Sequence, residues 1–272
     1  MKVLTPQTPE AWNAYVRSFA TWDVYYLCEY AVSLKLHGDG EPLLLCFEHG
    51  SERMCYVVMR KDIADDPRFH GLLAAGRLFD LETPYGYGGP LIDAPLSPET
   101  QRIFMEELRT YCLEQHIVTQ FLRYHPLLDN HGVVSPMTET RYLRDTIYMD
   151  TASPELILAN MDSKNRNMVR KAQRSGVTVR EAPMSEYAPF LDLYRQTMDK
   201  HGAEDYYTFD TSYFDYLSEH LYDHAFLLYA ELEEAPISGA IFFRTNGTMH
   251  YHLAGSDAAY RNLAAGNLLL YE

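Results

Sequence analysis

Residues 237–254 read ISGAIFFRTNGTMHYHLA, and this stretch decides the fold of the second half of the chain. Two runs rich in apolar and β-branched residues flank Asn246-Gly247, and this dipeptide favours the tight turn of a β-hairpin. A third strand-like run, residues 225–232, precedes the hairpin and is separated from it by Glu233-Glu234-Ala235-Pro236. The pattern therefore predicts three consecutive strands, with the last two joined as a hairpin.

Helices and a further strand surround these three strands in the predicted order. Residues 163–174 are typical of a basic helix that ends at Ser175-Gly176, and residues 177–181 of a strand. Two helices follow, one over 185–200 with Ser185 as its cap and Gly202 after it, the other from Asp210 to about 222. Residues 261–271 complete the half as a final helix.

The first half repeats a similar order. Its predicted helices cover 10–19, 24–35 and 98–115, the last of them capped by Ser97. Its strands are predicted at 43–48, 53–60, 117–124 and 142–149, with extended chain over 78–92. We therefore expect two related α/β halves that join near Asp150–Pro154.

The last residues, Leu268 to Glu272, carry no helix-stop signal, and the second half has fewer predicted strands than the first. We therefore expect the second half to be incomplete, either because the natural protein continues or because this is a truncated form.

The composition excludes several classes of protein. The 272 residues are 47% hydrophobic and 22% charged, which is typical of a globular protein and not of a disordered chain, a collagen or a coiled coil. The net charge of −15 does not fit a general nucleic-acid binder, because phosphate contacts need clustered cations. The chain start has no apolar signal core and no run spans a bilayer, which predicts a soluble, cytoplasmic protein. The four cysteines have no CxxC spacing, so we expect reduced, mostly buried thiols and no metal site.

The stretch Tyr85-Gly86-Tyr87-Gly88-Gly89-Pro90-Leu91-Ile92-Asp93, the aromatic–glycine stretch, is a candidate ligand loop. Its glycines allow backbone to approach a ligand and its tyrosines can line the site. A β-bulge followed by a turn aspartate explains the same residues, and the spacing by itself favours that interpretation.

The predicted basic helix is the second candidate. Residues 163–180 contain no acid and six cations, namely Lys164, Arg166, Arg170, Lys171, Arg174 and Arg180. Three of the arginines recur every four residues and share one helix face, which can bind a diphosphate or the acceptor end of an RNA. The alternative is a solvent-exposed basic helix whose positive charges balance those of acidic neighbours.

Residues 250–267 predict a strand, a turn and a helix start, where free N–H groups can hold phosphate. His250 and His252 share one strand face, but no third metal ligand is indicated, so ordinary sheet positions explain them better. The aromatic residues between 206 and 214 can line a substrate groove, although core packing explains Phe209 and Phe214 at least as well.

Taken in order, these stretches resemble the Fem-type (FemABX) aminoacyltransferases and, more widely, the GNAT acyltransferase superfamily. The resemblance covers most of the chain and rests on the aromatic–glycine stretch, Ser163-Lys164, Arg170-Lys171, Gly176-Val177, Tyr213-Phe214 and Tyr251 to Ser256. It implies an α/β (α+β) fold of tandem GNAT-like domains, with mixed sheets flanked by helices. The domains would be residues 1–150 and an incomplete second domain, residues 151–272.

The resemblance also implies an activity. Such enzymes move an amino acid from aminoacyl-tRNA to an amine of a peptidoglycan precursor and so build the interpeptide bridge. The implied partners are the precursor, as a UDP-muramyl peptide or in lipid-linked form, and the tRNA acceptor end, with peripheral membrane contact but no transmembrane segment. No tightly bound cofactor is implied.

The resemblance assigns residues to roles. Asp93 matches the aspartate that ends the family's Gly-Pro motif, and we expect it to orient or deprotonate the attacking amine. Backbone N–H groups near Gly255-Ser256 could stabilise the oxyanion. The candidate substrate-binding residues are Tyr85, Tyr87, Lys35, Arg166, Arg170, Lys171, Tyr213, Tyr251 and Tyr260.

Two alternative functions stay open. Arg261-x-x-Ala264-x-Gly266 partly fits the pyrophosphate loop of CoA-using GNAT enzymes, with Ala264 in place of the first glycine. Arg261, Ala264 and Gly266 are therefore candidate cofactor-binding residues of an acyl-CoA-dependent N-acetyltransferase that uses acetyl-CoA. The third function is a non-catalytic GNAT-like protein that binds a precursor or peptide.

Overall fold

The computed structural model describes residues 1–134, 138–201 and 205–272. The chain divides into two compact units, Met1–Arg144 and Asp145–Glu272. The domain division near residue 150 stays a prediction.

The first unit contains a six-stranded mixed sheet with helices. Its elements in chain order are β1 (Lys2–Leu4), α1 (Pro9–Arg17), α2 (Cys28–His37), β2 (Glu41–His49), β3 (Glu52–Asp62), β4 (Phe79–Glu82), β5 (Leu91–Ile92), α3 (Pro98–Glu114), β6 (Ile117–Phe121) and α4 (His131–Val134). The strands lie in the order β1-β2-β3-β4-β6, and β5 pairs with the other end of β3. The pairs are antiparallel except β4 with β6, which are parallel.

One apolar core of this unit lies between the sheet and α3. It includes Phe47, Tyr56, Val58 and Leu81 from the strands and Phe104 from the helix. Helix α3 begins where the sequence predicts, because the Ser97 hydroxyl accepts a hydrogen bond from the Thr100 N–H at 3.3 Å.

The second unit contains a four-stranded antiparallel sheet. Its elements are α5 (Pro154–Asn160), α6 (Ser163–Arg174), β7 (Thr178–Pro183), α7 (Ala188–His201), α8 (Thr211–His220), β8 (Ala225–Leu232), β9 (Ala235–Thr245), β10 (Thr248–Ser256) and α9 (Ala265–Tyr271). The strand order is β10-β9-β8-β7. Helices α6 and α9 pack on this sheet through Val169, Ala172, Leu268 and Leu269.

The hairpin predicted at Asn246-Gly247 is confirmed. Both residues have positive φ, 46° and 79°, as the turn of a two-residue hairpin requires. Glu233 and Glu234 adopt the same conformation, with φ of 51° and 66°, and connect β8 to β9. Helix α8 is capped as expected, since Asp210 Oδ1 accepts from the Ser212 N–H at 2.9 Å.

Several local predictions are wrong. Residues 142–149 form no strand, because a strand needs a neighbouring strand and the described residues place none beside this exposed segment. The helix predicted over 24–35 is interrupted: Val24–Tyr26 form a 3₁₀ turn, Leu27 is extended, and α2 begins at Cys28. Strand β6 ends at Phe121 rather than at residue 124.

Two helix starts in the second unit also differ from prediction. Ser185 lies inside a 3₁₀ turn, Met184–Glu186, and α7 begins at Ala188. The helix predicted over 261–271 is divided at Ala264, which has a φ of 59° and separates a 3₁₀ turn from α9. Gly202 lies outside the described residues.

The thiols behave as expected: Cys28, Cys46 and Cys55 are buried and unbridged. Within the described parts of the chain, no helix is both long enough and apolar enough to cross a membrane.

Candidate functional site

The aromatic–glycine stretch begins as an irregular loop that is held by other parts of the first unit. The Tyr30 hydroxyl donates a hydrogen bond to the Tyr85 carbonyl at 2.6 Å. The buried Asn130 amide donates to the carbonyls of Gly88 and Pro90, at 2.8 and 3.2 Å. Sequence reasoning missed Asn130, because its partners lie about forty residues away and no local pattern marks it. These bonds fix the loop from inside the protein.

Two glycines of this loop make room for the protein's own rings. A Cβ at Gly86 would lie 2.4 Å from Cε1 of Tyr25, and a Cβ at Gly89 would lie 2.8 Å from Cδ1 of Tyr124. Both glycines have positive φ, 97° and 84°, which other residues rarely adopt. The structure therefore favours a structural turn at these glycines over a ligand cradle.

The two tyrosines of the loop are half-buried. The Tyr87 ring packs edge-on against the Tyr25 ring, with 5.7 Å between the ring centroids. Each tyrosine keeps part of its surface accessible, and their contact with a substrate stays a prediction.

Asp93 directly follows β5 and is paired with an arginine. Arg53 Nε donates to Asp93 Oδ2 at 2.5 Å, and this hydrogen bond raises the pKa of Arg53. The same guanidinium donates to the hydroxyl and carbonyl oxygens of Ser18 at 2.8 and 2.9 Å. Asp93 therefore lies at the surface with one carboxylate oxygen already bonded. Sequence reasoning missed Arg53, because nothing in the chain order links it to residue 93.

Among the cations of α6, Arg166 is hydrogen-bonded to backbone carbonyls of the protein, whereas others are exposed to solvent. Arg166 donates from Nη1 to the carbonyl groups of Leu158, at 3.2 Å, and of Met161. It thus satisfies carbonyls at the end of α5, and its predicted contact with a substrate stays a prediction. Arg170 and Lys171 are exposed, and so is Lys164.

These three exposed cations, Lys164, Arg170 and Lys171, have no ion-pair partner in the part of the chain that the structure describes. The start of α6 also lies beside the start of α9, since Asn267 Nδ2 donates to Asn165 Oδ1 at 3.2 Å. The structure therefore brings two of the predicted phosphate-binding stretches together. Lys35 is different, because its Nζ lies 2.7 Å from Glu41 Oε2 in a surface ion pair.

Tyr213 and His252 form a hydrogen-bonded pair. Tyr213 is fully buried on α8, and its hydroxyl lies 2.7 Å from His252 Nε2. Tyr213 also packs against Phe209, with 4.5 Å between ring centroids. The structure therefore places Tyr213 in the core instead of the predicted substrate groove.

His252 occupies a β-bulge in β10. Tyr251 pairs with Phe242 and Leu253 pairs with Ile241, so His252 is the extra residue of this strand. Burial lowers the pKa of His252 to about 3, which keeps the ring neutral at physiological pH. A bulge disrupts the ladder locally and changes the direction of its backbone groups, a feature common next to active sites.

The Gly255-Ser256 strand end does not fit the predicted oxyanion site. The Ser256 N–H donates to Thr197 Oγ1 at 3.0 Å. A Cβ at Gly255 would lie 2.4 Å from backbone atoms of Leu193 and Tyr194, so α7 covers this residue directly. The bulge at His252 is the better candidate in the same strand, because the ladder is irregular there.

The candidate CoA loop matches its pattern in part. Ala264, which stands in place of the first glycine, has a φ of 59°, the left-handed conformation that favours glycine. Gly266 needs no glycine, since a Cβ there would lie 3.9 Å from Ser238 Oγ. Arg261, Tyr260 and Tyr251 are exposed. The cofactor-binding role of Arg261, Ala264 and Gly266 stays a prediction.

Comparisons with known proteins agree with the fold and with the resemblance. Residues 128–235 match the FemAB family. This match contains α6 and α8 and excludes Asp93 and Ala264. No curated protein matches the chain significantly.

Two solved structures have a similar fold. The crystal structure of FemX has a TM-score of 0.63 at 13% identity, covering 100% of this chain and 84% of that chain. A conserved protein of unknown function from Bacteroides thetaiotaomicron VPI-5482 has a TM-score of 0.56 at 12% identity, covering 98% of this chain and 84% of that one. The predicted α/β architecture, with mixed sheets flanked by helices, is confirmed, and the resemblance to Fem-type proteins is supported over residues 128–235.

Proposed function

We propose that this protein is an aminoacyltransferase that moves an amino acid from aminoacyl-tRNA to an amine of a peptidoglycan precursor. The observation that carries the proposal is the match of residues 128–235 to the FemAB family, which contains α6 with its exposed cations. The acceptor is a UDP-muramyl peptide or its lipid-linked form, since both present a diphosphate.

The charge distribution supports a small anionic ligand. The chain carries −15 overall, so a broad RNA surface would be repelled. Arg170 and Lys171 are adjacent, exposed and unpaired among the described residues, and a guanidinium with an ammonium suits a diphosphate. The tRNA contact is therefore confined to the acceptor end.

The transfer has two chemical requirements. The amine nitrogen attacks the ester carbonyl carbon, a C–N bond forms, the C–O bond to the terminal ribose breaks, and the ribose oxygen takes a proton. The amine must be deprotonated and oriented, a role for Asp93, whose carboxylate is accessible at the surface. The tetrahedral oxyanion needs hydrogen-bond donors, and the irregular backbone around the β-bulge in β10 is their candidate source.

Acetyl-CoA is the alternative donor. The observation that favours it is the left-handed backbone at Ala264, where a CoA pyrophosphate loop has glycine. The exposed Arg261 would then meet the pyrophosphate.

The first experiment compares ligands by thermal stabilisation and transfer. A UDP-muramyl peptide at a hundred times its Kd should stabilise the protein by about 2.7 kcal/mol. Labelled amino acid should then pass from aminoacyl-tRNA to the muramyl peptide. Stabilisation by acetyl-CoA with acetyl transfer would refute the proposal in favour of an N-acetyltransferase. Stabilisation by the muramyl peptide without transfer from either donor would indicate a binding protein.

A matched pair of variants tests the role of α6. The double change Arg170→Met and Lys171→Met should abolish the stabilisation by the muramyl peptide. Arg195→Met removes another exposed cation from a helix of the same unit and should leave it intact. Equal effects of both variants would show that overall charge, and not the α6 cations, governs binding.

A further inference from the structure

We infer that Arg53 is a positioning residue for Asp93, which it holds so that the second carboxylate oxygen, Oδ1, stays available to the acceptor amine. The inference rests on the proposed function, because it assigns Arg53 to the same transfer reaction.

Strand register brings the two residues together. Met54 of β3 pairs with Ile92 of β5, so the residues before Met54 and after Ile92 lie opposite each other. Those residues are Arg53 and Asp93, and the Arg53 Nε donates to Asp93 Oδ2 at 2.5 Å. The carboxylate is thus oriented by a cross-strand partner that lies forty residues away in the chain.

Arg53 is itself fixed from several sides. Both terminal nitrogens of its guanidinium donate to Ser18 at the end of α1, at 2.8 and 2.9 Å. Its guanidinium carbon lies 4.3 Å from the centroid of the Phe19 ring. These contacts restrict the position of the planar guanidinium. Because Asp93 is hydrogen-bonded to it, the position of the Asp93 carboxylate is restricted as well.

The Arg53–Asp93 pair differs from a second arginine–aspartate pair of the first unit in its exposure and in the distance along the chain between its partners. Arg68 bonds Asp66, a neighbour two residues away, and its side chain is 81% exposed. The Arg53 side chain is 28% exposed and joins the end of α1 to the residue that follows β5, while Asp93 remains 43% exposed. Because Asp93 is this accessible to solvent, its charge pairing contributes little to stability, and orientation of its carboxylate is the effect expected of Arg53.

A double-mutant cycle separates positioning from general stabilisation. Arg53→Met should lower kcat about tenfold to a hundredfold, the order of loss expected when a reacting group is misplaced. In the Asp93→Asn background the same change should have no further effect, because the group that Arg53 holds is already removed. Arg53→Lys keeps the charge but loses the fork, so it should also lower kcat while the protein stays folded.

Arg68→Met is the matched control, since it removes an arginine from a comparable pair, and it should leave kcat unchanged. The melting temperature of every variant is measured beside kcat and KM. An unaltered kcat in Arg53→Met and Arg53→Lys would overturn the inference. So would an equal loss of kcat in the wild-type and Asp93→Asn backgrounds, because Arg53 would then act independently of Asp93. Wild-type protein that transfers nothing to a muramyl peptide would overturn the proposed function, and the role of Arg53 with it.

Discussion

Replacing Gly255 with alanine tests a close contact between helix α7 and the sheet in the second unit. A Cβ at this position of β10 would lie 2.4 Å from the Leu193 carbonyl carbon and the Tyr194 nitrogen, and 2.6 Å from the Leu193 oxygen. These are backbone atoms of α7, so no side-chain rotation can relieve the overlap. Since ordinary contact begins at 3.4 Å, the helix and the strand have to separate by about 1 Å.

The energetic cost follows from this displacement. Overpacking a close-packed region costs about 1–3 kcal/mol and occasionally more. We expect the upper end, because the shift would also stretch the 3.0 Å hydrogen bond from the Ser256 N–H to Thr197 on the same helix. For a unit of this size, about 3 kcal/mol corresponds to a fall in melting temperature of about 10 °C.

The assay is thermal unfolding followed by far-ultraviolet circular dichroism. Gly266→Ala is the matched control, because its Cβ would meet nothing closer than Ser238 Oγ at 3.9 Å. In helix α9 this alanine should leave the melting temperature unchanged or raise it slightly, by up to about 1 kcal/mol of stability. A Gly255→Ala protein that melts within a degree or two of the wild type would refute the packing argument.

Three further predictions concern single side chains. Arg166→Met should lower the melting temperature because carbonyl groups at the end of α5 lose a charged donor, at a cost of about 1–3 kcal/mol. Arg170→Met should leave the melting temperature unchanged, and equal effects of the two variants would contradict the division of the α6 cations. Tyr213→Phe removes the hydroxyl bonded to His252 and should lower the free energy of unfolding in urea by about 1–2 kcal/mol. Burial lowers the pKa of His252 to about 3 in the folded protein, whereas an unfolded histidine titrates near 6.5. The unfolded chain therefore binds more protons between these values, so the contribution of His252 to stability is complete above about pH 6.5 and is lost as the pH falls toward 3. Urea unfolding at several pH values checks this, and His252→Gln should flatten the slope in that window.

The helix ends and turns that the sequence located depend on chemistry within a few residues. Ser97 and Asp210 cap their helices through N–H groups two or three positions ahead. Asn246-Gly247 adopts the turn that its intrinsic conformational preference favours. Such features need no knowledge of the rest of the chain, which explains why they were predicted correctly.

The structural predictions that failed depend on more distant parts of the chain. The segment expected to form a strand over 142–149 contains residue types that favour strands, such as Ile147 and Tyr148, but residue type supplies no neighbouring strand. At Ala264 the backbone turns left-handed although alanine rarely adopts that conformation, so local propensity did not show that the final helix is divided there.

The sequence by itself determined that two α/β halves follow one another, and it identified the basic segment and the order of motifs typical of Fem-type proteins. Tertiary structure decided which of the chemically suitable side chains are available. In the folded protein, Tyr213 is buried against His252 and Arg166 is hydrogen-bonded to a carbonyl of α5, whereas Arg170 and Lys171 are exposed. Tertiary structure also paired Asp93 with Arg53, forty residues away in the chain. Residue type and local spacing set what a side chain can do, whereas its burial and its partners depend on contacts between segments that chain order does not encode locally.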